Sequence, residues 1–378
     1  MRCFIITGMK CRLGGGGGGV AYRLLSANNK YSFLENAYFI FSDVIVESPS
    51  GYRTLPPWED PCPDPIAGFK ALNDRFEFRE DDVFVVHDLE CFYCLKVCSD
   101  KVKNTIMVYH GQGSPYYEYV ASGNPADDGV RLNYAKMAYF ALSQSSYFAF
   151  PSKGAVSAFI DTAPELNEYT DNKAFEILYN GCSPSDISDS CAYDAAIDEM
   201  TDENTKVFIT VATLNEAKAV ERLPLFFAHY MKHENNFLWI VIGDGAKRDE
   251  LENNLKGIEG HVLWIKDKVD NRDVLHLMQR ADYYIIAQRF SIFDFSTIEA
   301  MSMNCVPVLS PVGGNFEVIT DNNGYLLETL PGAEEFAKWE KTIDLQSLKV
   351  KNQEIAKAQF SEKAMLQRYC DLIGKLTG

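Results

Sequence analysis

Short apolar runs alternate with longer amphipathic stretches along most of this chain. Apolar runs of strand length that are separated by helical stretches are typical of parallel sheets whose strands are joined by crossover helices. The pattern therefore predicts an α/β protein with doubly wound sheets. The predicted strands are 3–8, 37–44, 82–88, 104–111, 147–152 and 175–181 in the first half, and 207–212, 237–245, 261–266, 283–288 and 306–310 in the second.

The strand pattern stops and restarts near the middle of the chain. Between the two strand series, residues 182–206 are rich in Ser and Asp and poor in large apolar side chains, which indicates a linker. A length of 378 residues suits two domains of about 180 residues each. We therefore predict an N-terminal domain over 1–185, a linker over 186–205 and a C-terminal domain over 206–359.

The net charge and the hydropathy of the chain argue against nucleic acid as a partner and against a membrane span. The net charge is -17, so nucleic acid is not an expected partner. No apolar run reaches the roughly 18 residues that a membrane span requires, and the start of the chain resembles a strand rather than a signal peptide. We expect a cytoplasmic protein. Peripheral contact at the inner membrane face and the oligomeric state are left open.

The ten cysteines show no regular framework spacing, which indicates reduced thiols. Cys91, Cys94 and Cys98 form one cluster at helical spacing, without a second CxxC and without a histidine in zinc-ligand register. A packed helix face is favoured over a metal site there. No carboxylate pair follows a strand in a metal-ligand pattern either, so neither a metal nor a cofactor is expected.

In open α/β sheets, ligands bind outside the carboxyl ends of the strands, so candidate residues should lie in the loops that follow them. The first such loop is the glycine run 14–19, with Gly16, Gly17 and Gly18 at its centre. Glycine lets backbone N–H groups approach a phosphate at a helix N-terminus. A flexible loop without a ligand is the alternative. A nicotinamide site is disfavoured because no acidic residue follows at the required spacing of about 20 positions.

Two histidines, His87 and His110, end strands of the first half. A single histidine at a strand end is usually structural. His110 is the better candidate for a ligand contact because the sequence Gly-Gln-Gly-Ser-Pro follows it. His87 is expected to be structural or to face the acceptor. The stretch 46–64 resembles a long loop that could form a wall of the acceptor site.

In the second half, the pattern places one cation and one carboxylate near the predicted ligand edge. Lys218 lies between a strand and the start of a helix, where an ammonium is unfavourable unless an anion is bound. Glu299 lies on the mainly apolar helix 291–303, and burying an unpaired carboxylate costs several kcal/mol or more. Ribose hydroxyls would satisfy that carboxylate, as would a backbone group or an arginine.

These segments, taken in order, resemble the GT-B glycosyltransferases of the large retaining family 4. VATLNEAKAVERL is similar to the family's Gly-Arg-Leu-x-x-x-Lys-Gly stretch, IVIGDGAKRDELE to its Gly-Asp-Gly turn and acidic helix, and RADYYIIAQ to the strand before the donor pocket. SIFDFSTIEAMSMNCVPVLSPVGG resembles the pocket helix, strand and Gly-Gly loop, and ILYNGCSP resembles the strand that closes the first domain. The resemblance implies two Rossmann-like domains that face each other across a cleft, and a final helix at about 360–378 that returns to the first domain.

The resemblance also implies roles for individual residues. Lys218 would hold the donor diphosphate, Glu299 the ribose and His110 the donor sugar, while the glycine loop would close over donor and acceptor. Two residues depart from the family pattern, because Ser291 stands where a Glu is usual and Thr213 where an Arg is usual. Asp294 stands at a usual Gly and could replace part of the missing carboxylate. The implied catalytic residues are His110 and Lys218, and the implied donor-binding residues are Gly16, Gly17, Gly18, Thr213, Lys218, Lys266, Ser291, Phe293, Asp294, Phe295, Ser296 and Glu299.

The function that this resemblance implies is retaining, hexosyltransferase-like transfer of a sugar from a nucleotide sugar to a glycan or glycolipid hydroxyl, in polysaccharide or glycoconjugate biosynthesis. A UDP-sugar is favoured over a GDP- or dTDP-sugar. The missing Glu and Arg keep a non-catalytic GT-B subunit, which binds sugar or a partner, as one alternative. A sugar-nucleotide epimerase is the other alternative.

Overall fold

A computed structural model describes residues 1–49, 54–55, 65–171 and 173–377. The chain divides into two compact units, of which the first comprises Met1–Gly181 with Glu362–Gly378 and the second comprises Cys182–Ser361. None of the helices in the described part of the chain combines the length and the apolar character needed to cross a membrane.

The first unit contains an eight-stranded sheet in the order β4-β3-β2-β1-β5-β6-β7-β8. All neighbouring strands pair in parallel except β2 with β3 and β3 with β4, which are antiparallel. The strands are β1 Cys3–Ile6, β2 Ala37–Ile40, β3 Ile45–Ser48, β4 Thr54–Leu55, β5 Val83–Val86, β6 Asn104–Val108, β7 Tyr147–Phe150 and β8 Glu176–Ile177. The helices are α1 Gly16–Tyr31, α2 Pro65–Phe76, α3 Leu89–Cys98, α4 Pro115–Ala121, α5 Asp128–Gln144, α6 Lys153–Asp161, α7 Asn167–Thr170 and, from the end of the chain, α16 Glu362–Thr377.

The start of the predicted acceptor loop is instead part of this sheet. After β2 the chain turns back, and β3 pairs with it so that Ile45 lies opposite Ile40 and Val46 opposite Phe39. Both residues of β3 are buried, and their apolar side chains explain why this segment adds a strand. The remainder of the predicted loop, 50–53 and 56–64, lies outside the described residues. Helix α16 packs against α1.

The second unit contains a six-stranded parallel sheet in the order β11-β10-β9-β12-β13-β14. Its core is strongly aromatic: Phe208, Phe227 and Trp239 belong to one buried cluster between the sheet and its helices. The strands are β9 Lys206–Val211, β10 Phe237–Ile242, β11 Val262–Ile265, β12 Tyr283–Ile286, β13 Val306–Leu309 and β14 Tyr325–Leu326. The helices are α8 Asp194–Met200, α9 Leu223–Tyr230, α10 Arg248–Asn254, α11 Asn271–Gln279, α12 Phe295–Ser302, α13 Asn315–Val318, α14 Ala333–Glu340 and α15 Leu345–Gln359.

The predicted linker, residues 186–205, is folded into the second unit. It contains helix α8, in which Ile197 is buried. Asp194 accepts hydrogen bonds from Nε2 of His276 at 2.8 Å and from Nη1 of Arg280 at 2.9 Å. At least one acidic residue of this segment thus has a structural role, because the Asp194 carboxylate binds His276 on α11 and Arg280 at the C-terminal end of that helix.

Candidate functional site

Both sheets have a point at which the strand order reverses, and open α/β sheets bind ligands outside the carboxyl ends of the strands at that point. In the second unit it lies between β9 and β12, because β10 and β11 continue on one side and β13 and β14 on the other. In the first unit it lies between β1 and β5. The loops after these four strands, together with the helices that follow them, carry most of the predicted site residues.

In the second unit, the loops after β9 and β12 are joined by an ion pair. Nζ of Lys218 lies 2.7 Å from Oδ1 of Asp294, and each side chain is 18% exposed. The backbone N–H of Arg289 donates to the carbonyl of Ala217 at 2.9 Å and reinforces the same junction. The structure therefore brings together two of the predicted donor-binding residues and gives the predicted catalytic cation a carboxylate partner.

Two buried amides extend this ion pair into a network that the sequence analysis missed. Nε2 of Gln288 donates to Oδ2 of Asp294, and Oε1 of Gln288 accepts from Nδ2 of Asn315 at 3.2 Å. Gln288 and Asn315 are each 1% exposed. Buried amides of this kind hold a carboxylate in one orientation because their own hydrogen bonds are satisfied elsewhere. The only signal for Gln288 in the sequence is its place directly after the apolar strand β12.

Helix α12 presents Glu299 and the residues of its first turn. Glu299 is buried in the second turn, with 8% of its surface exposed. Oη of Tyr284 lies 2.8 Å from Oγ of Ser296. Burial raises the pKa of Tyr284, and the charges of Asp294 and Glu299 act in the same direction. Both carboxylates and the Ser296 hydroxyl are therefore near this one phenol.

The N-terminus of α12 is not closed by a side chain of its N-cap residue. Asp294 occupies the N-cap position without a side-chain capping hydrogen bond, because its carboxylate is directed to Lys218 and Gln288. Phe295 is half-buried at the first position of the helix. Phe293 is buried, with its ring 5.1 Å from that of Phe360, and it fixes the approach of the chain to the helix.

The Gly-Gly turn after β13 packs directly onto the loop that contains Ser291. Gly313 has a φ of +49°, and a Cβ atom there would lie 1.9 Å from the carbonyl oxygen of Ser291. The N–H of Gly314 donates to that same oxygen at 3.0 Å. Only glycine fits at position 313, for steric and for conformational reasons. The Oγ of Ser291 is buried and has no hydrogen-bond partner among the residues that the structure describes.

Two further predicted donor-binding residues, Thr213 and Lys266, face solvent or contact another part of the second unit. Thr213 is exposed after β9. Lys266 follows the edge strand β11, where its Nζ lies 3.3 Å from Oε1 of Glu252 and 4.3 Å from the centre of the Trp264 ring. The structure places Lys266 beyond β10 from the Lys218–Asp294 ion pair, so its contact with the donor stays a prediction.

In the first unit, the glycine run is only partly a loop. Helix α1 begins at Gly16, so Gly16, Gly17 and Gly18 form its first turn rather than the loop predicted over 14–19. Close packing is the physical reason, since Gly17, Gly18 and Gly19 are buried. A Cβ at Gly18 would meet the Cβ of Met9 at 2.6 Å, and one at Gly19 would meet the carbonyl of Gly14 at 1.9 Å.

A pocket of about 430 Å³ opens at this end of α1. It contains two exposed cations, Lys10 and Arg12, that form no ion pair within the described ranges of the chain. Together with glycine backbone, unpaired cations give a surface suited to an anionic or strongly polar group. Nothing in the sequence pattern marks these two cations as site residues. The pocket is lined by Gly8, Met9, Lys10, Arg12, Gly14, Gly15, Gly18, Gly19 and Ser42.

The two strand-end histidines of the first unit form a pair. Nδ1 of His87 lies 2.8 Å from Nε2 of His110, and the rings are stacked at 5.1 Å. Burial lowers the pKa of His110 to about 4. Burial and the neighbouring His110 lower the pKa of His87 well below its ordinary value. Both imidazoles are therefore neutral at physiological pH.

The cysteine cluster is part of the packing of the first unit. Cys91 and Cys94 are buried on α3, and the thiol of Cys98 donates to the carbonyl of Leu95 at 3.1 Å. Burial raises the pKa of Cys91, which keeps this thiol protonated.

Comparison with known sequences relates the second unit to one family. Residues 196–357 match the family described as glycosyl transferases group 1. The Vi polysaccharide biosynthesis protein VipC/TviE of Salmonella typhi is 26% identical over 168 residues, which cover 41% of this chain and 28% of that protein. The aligned part of the chain thus spans less than a third of the length of this curated relative.

Solved structures match both units. The sucrose-phosphate synthase of Thermosynechococcus elongatus superposes with a TM-score of 0.69 at 16% identity, over 99% of this chain and 98% of that one. HepE of Anabaena, solved in complex with UDP, superposes with a TM-score of 0.64 at 18% identity, over 99% of this chain and 100% of that one. The chain therefore has the GT-B fold, and its residues 196–357 are similar to the glycosyl transferases group 1 family.

Proposed function

We propose that this protein transfers a sugar from a nucleotide diphosphate sugar to a hydroxyl of a glycan or glycolipid acceptor, with retention of the anomeric configuration. The Lys218–Asp294 ion pair carries the proposal, because it lies at the strand-order reversal of the second sheet beside the helix that bears Glu299. The matched HepE structure contains UDP, and the Salmonella relative is named for polysaccharide biosynthesis. These two observations favour a UDP-sugar donor and a glycan product.

Lys218 would bind the diphosphate. An ammonium group has three N–H donors, and Asp294 uses one of them, so two remain for phosphate oxygens. Asp294 and the buried amides behind it hold the ammonium in place before the donor arrives. A charge that is already oriented stabilises developing negative charge without reorganisation during the reaction.

Glu299 would bind the ribose. A carboxylate can accept about four hydrogen bonds, which suits it to the two vicinal hydroxyls of a ribose. Its place in the second turn of α12 puts it on the helix whose N-terminus adjoins Lys218 and Asp294. We place the two ends of the donor on this helix and on the loop after β9.

In the reaction we propose, the bond between the anomeric carbon and the leaving phosphate oxygen breaks. The new bond forms from the acceptor oxygen to the same face of that carbon, and the acceptor proton passes to the departing phosphate. Lys218 offsets the negative charge that grows on the diphosphate. The site needs no protein nucleophile, and the residues that replace the family's Arg and Glu, Thr213 and Ser291, leave Lys218 as its principal cation.

In the first unit we assign His110 to a sugar hydroxyl and the pocket beside Lys10 and Arg12 to the acceptor. The pocket volume, about 430 Å³, is in the range of small-molecule sites. Its two cations would favour an acceptor that carries an anionic group.

The first experiment is a donor screen with the purified full-length chain. It is incubated with UDP-, GDP- and dTDP-glucose and with the corresponding galactose and N-acetylglucosamine donors, with and without glycan acceptors. Release of nucleoside diphosphate is measured, and the anomeric configuration of any product is read by proton NMR. We expect turnover with a UDP-sugar and a retained anomer. An inverted anomer would contradict retention, an epimerised donor without acceptor would indicate an epimerase, and binding without turnover would indicate a non-catalytic subunit.

The donor site itself is tested by Glu299→Gln. Replacing the carboxylate by an amide removes a charged acceptor from the ribose, so we expect the KM for the nucleotide sugar to rise about tenfold or more, since hydrogen bonds to charged groups contribute about 1.5–3 kcal/mol. Glu335→Gln is the matched control, because Glu335 is exposed on α14. Equal KM values for both variants would remove Glu299 from the donor site.

A further inference from the structure

The two paired histidines each have a second ring nitrogen that is buried without a partner. Nε2 of His87 and Nδ1 of His110 make no hydrogen bond to any residue that the structure describes. A buried polar atom without a partner is costly, so a site of this kind usually holds water or a ligand in its working state. Each ring of the pair therefore has one nitrogen atom that is available to hydrogen-bond a water molecule or a ligand.

The hydrogen bond between the rings links their tautomers. If Nδ1–H of His87 donates, Nε2 of His110 must accept, and the proton of His110 then lies on Nδ1. If Nε2–H of His110 donates, Nδ1 of His87 must accept, and the proton of His87 then lies on Nε2. Both neutral rings must consequently have the same tautomer. Opposite tautomers would place two protons or two lone pairs within the 2.8 Å contact.

Surrounding contacts fix the ring of His87 more than that of His110. His87 follows β5, at the strand-order reversal of the first sheet, and its ring stacks on Tyr369 of α16 at 6.0 Å. A Cβ at Gly17 would lie 3.0 Å from both the Cβ and the carbonyl oxygen of His87, and 3.3 Å from Cδ2 of His110. His87 is 4% exposed, whereas His110 is only partly buried. His87 is therefore the more enclosed of the two rings, and we take it as the ring that orients the other.

We propose that His87 is a positioning residue for His110: its Nδ1 holds Nε2 of His110, which orients the second ring and leaves Nδ1 of His110 as the atom that meets a substrate hydroxyl. The substrate contact rests on the proposed sugar transfer. The pairing of the rings does not, and it can be tested without turnover. His87 thereby decides whether His110 offers its partner a proton or a lone pair, since the tautomer of one ring dictates that of the other.

The first test measures tautomers. The full chain, with its six histidines labelled with nitrogen-15, is studied by NMR at neutral pH, and His87 and His110 are assigned from single variants. We expect the two rings to show one and the same neutral tautomer, and we expect His87→Phe to convert His110 to a mixture of the two. Opposite tautomers in the wild-type chain, or an unchanged His110 in the variant, would overturn the pairing.

The second test uses a series of substitutions whose side chains differ in where they can hydrogen-bond. Asparagine carries a polar atom at the position of the histidine Nδ1, whereas glutamine carries its polar atoms one bond further out. We expect His87→Asn to keep kcat within about threefold, and His87→Gln and His87→Phe to lower kcat about tenfold with little change in the KM of the donor, which is the effect of one lost hydrogen bond. His233→Asn is the control, because His233 is exposed in the second unit.

The outcomes separate this inference from the proposed function. If the wild-type chain transfers sugar and all three His87 variants match it, the positioning role fails while the proposed function stands. If asparagine is no better than phenylalanine although both variants keep the wild-type melting temperature, the role of Nδ1 fails. If the wild-type chain turns over no donor, the substrate contact of His110 fails with the proposed function, and the tautomer measurement alone decides the pairing.

Discussion

The strand-order reversals of the two units have the same topology, but the side chains that pair beside them differ: the first pair is neutral and the second is charged. In the first unit, His87 after β5 and His110 after β6 form a neutral pair beside the glycine backbone of α1, while the cations of the loop after β1 are exposed. In the second unit, the loops after β9 and β12 meet through a charged pair, Lys218 and Asp294. Topology thus decides where a site forms, whereas the residues at the strand ends decide what the site can bind.

The difference follows from burial. His87 and the nitrogen atoms of the pair are enclosed, so a charge there would be strongly disfavoured, and the pair acts through hydrogen bonds alone. Lys218 and Asp294 form an ion pair instead, and each keeps 18% of its side-chain surface exposed. The proposed roles agree with this difference, because stabilising a diphosphate requires a charge and selecting a sugar hydroxyl requires a fixed direction.

The largest expected effect is the loss of turnover when the charge of Lys218 is removed from its ion pair with Asp294. Lys218→Met keeps the length of the side chain and removes its charge, so we expect kcat to fall about 100- to 1,000-fold, the range for loss of one preorganised donor. Turnover is measured with the donor found in the screen. Lys256→Met, at an exposed position of the same unit, is the control. A Lys218→Met enzyme within threefold of wild type would assign the diphosphate to other groups.

A smaller effect, on stability, is expected from the Gly313–Gly314 turn, which packs onto the loop that contains Ser291. Gly313→Ala forces a Cβ against the carbonyl oxygen of Ser291 at a left-handed backbone position. We expect the free energy of unfolding of the second unit to fall by about 1–3 kcal/mol or more. Scanning calorimetry measures the melting temperature. Gly260→Ala is the control, because a Cβ there would meet nothing within 4 Å. Equal melting temperatures would show that the turn can relax.

The third effect, the acid sensitivity of the histidine pair, develops gradually as the pH falls. The pKa of His110 is about 4 in the fold and 6.5 as its ordinary value, so the unfolded chain binds more protons between these two pH values. Stability from this group is present above about pH 6.5 and is lost as the pH falls toward 4, by at most about 1.4 kcal/mol per pH unit.

This acid sensitivity is measured by melting the wild-type chain and the double variant His87→Gln/His110→Gln at intervals from pH 7.5 to pH 4.5. The variant removes both imidazoles, and we expect its melting temperature to decline less steeply than that of the wild type below pH 6.5. Parallel curves would mean that the pair titrates as easily in the folded chain as in the unfolded one.

The alternation of apolar and amphipathic segments was sufficient to predict the fold class and the strands other than β3, β4 and β14, because strands and helices are local patterns of burial. The same pattern placed Lys218, Glu299 and His110 after strands or on the adjoining helix. It misjudged residues 186–205, whose acidic composition resembles a linker although Asp194 binds His276 and Arg280. It also treated the glycine run as a loop, whereas α1 begins at Gly16.

What the sequence determined by itself was therefore the type and order of the elements and the positions where chemistry could lie. Tertiary structure alone decided the partners: Lys218 with Asp294, 76 positions away, and His87 with His110, 23 positions away. The reason is physical, since a strand end acquires its neighbours from the order of strands in the sheet and from how closely backbones pack. Neither the order of the strands nor the packing of the backbones can be predicted from the spacing of residues along one segment.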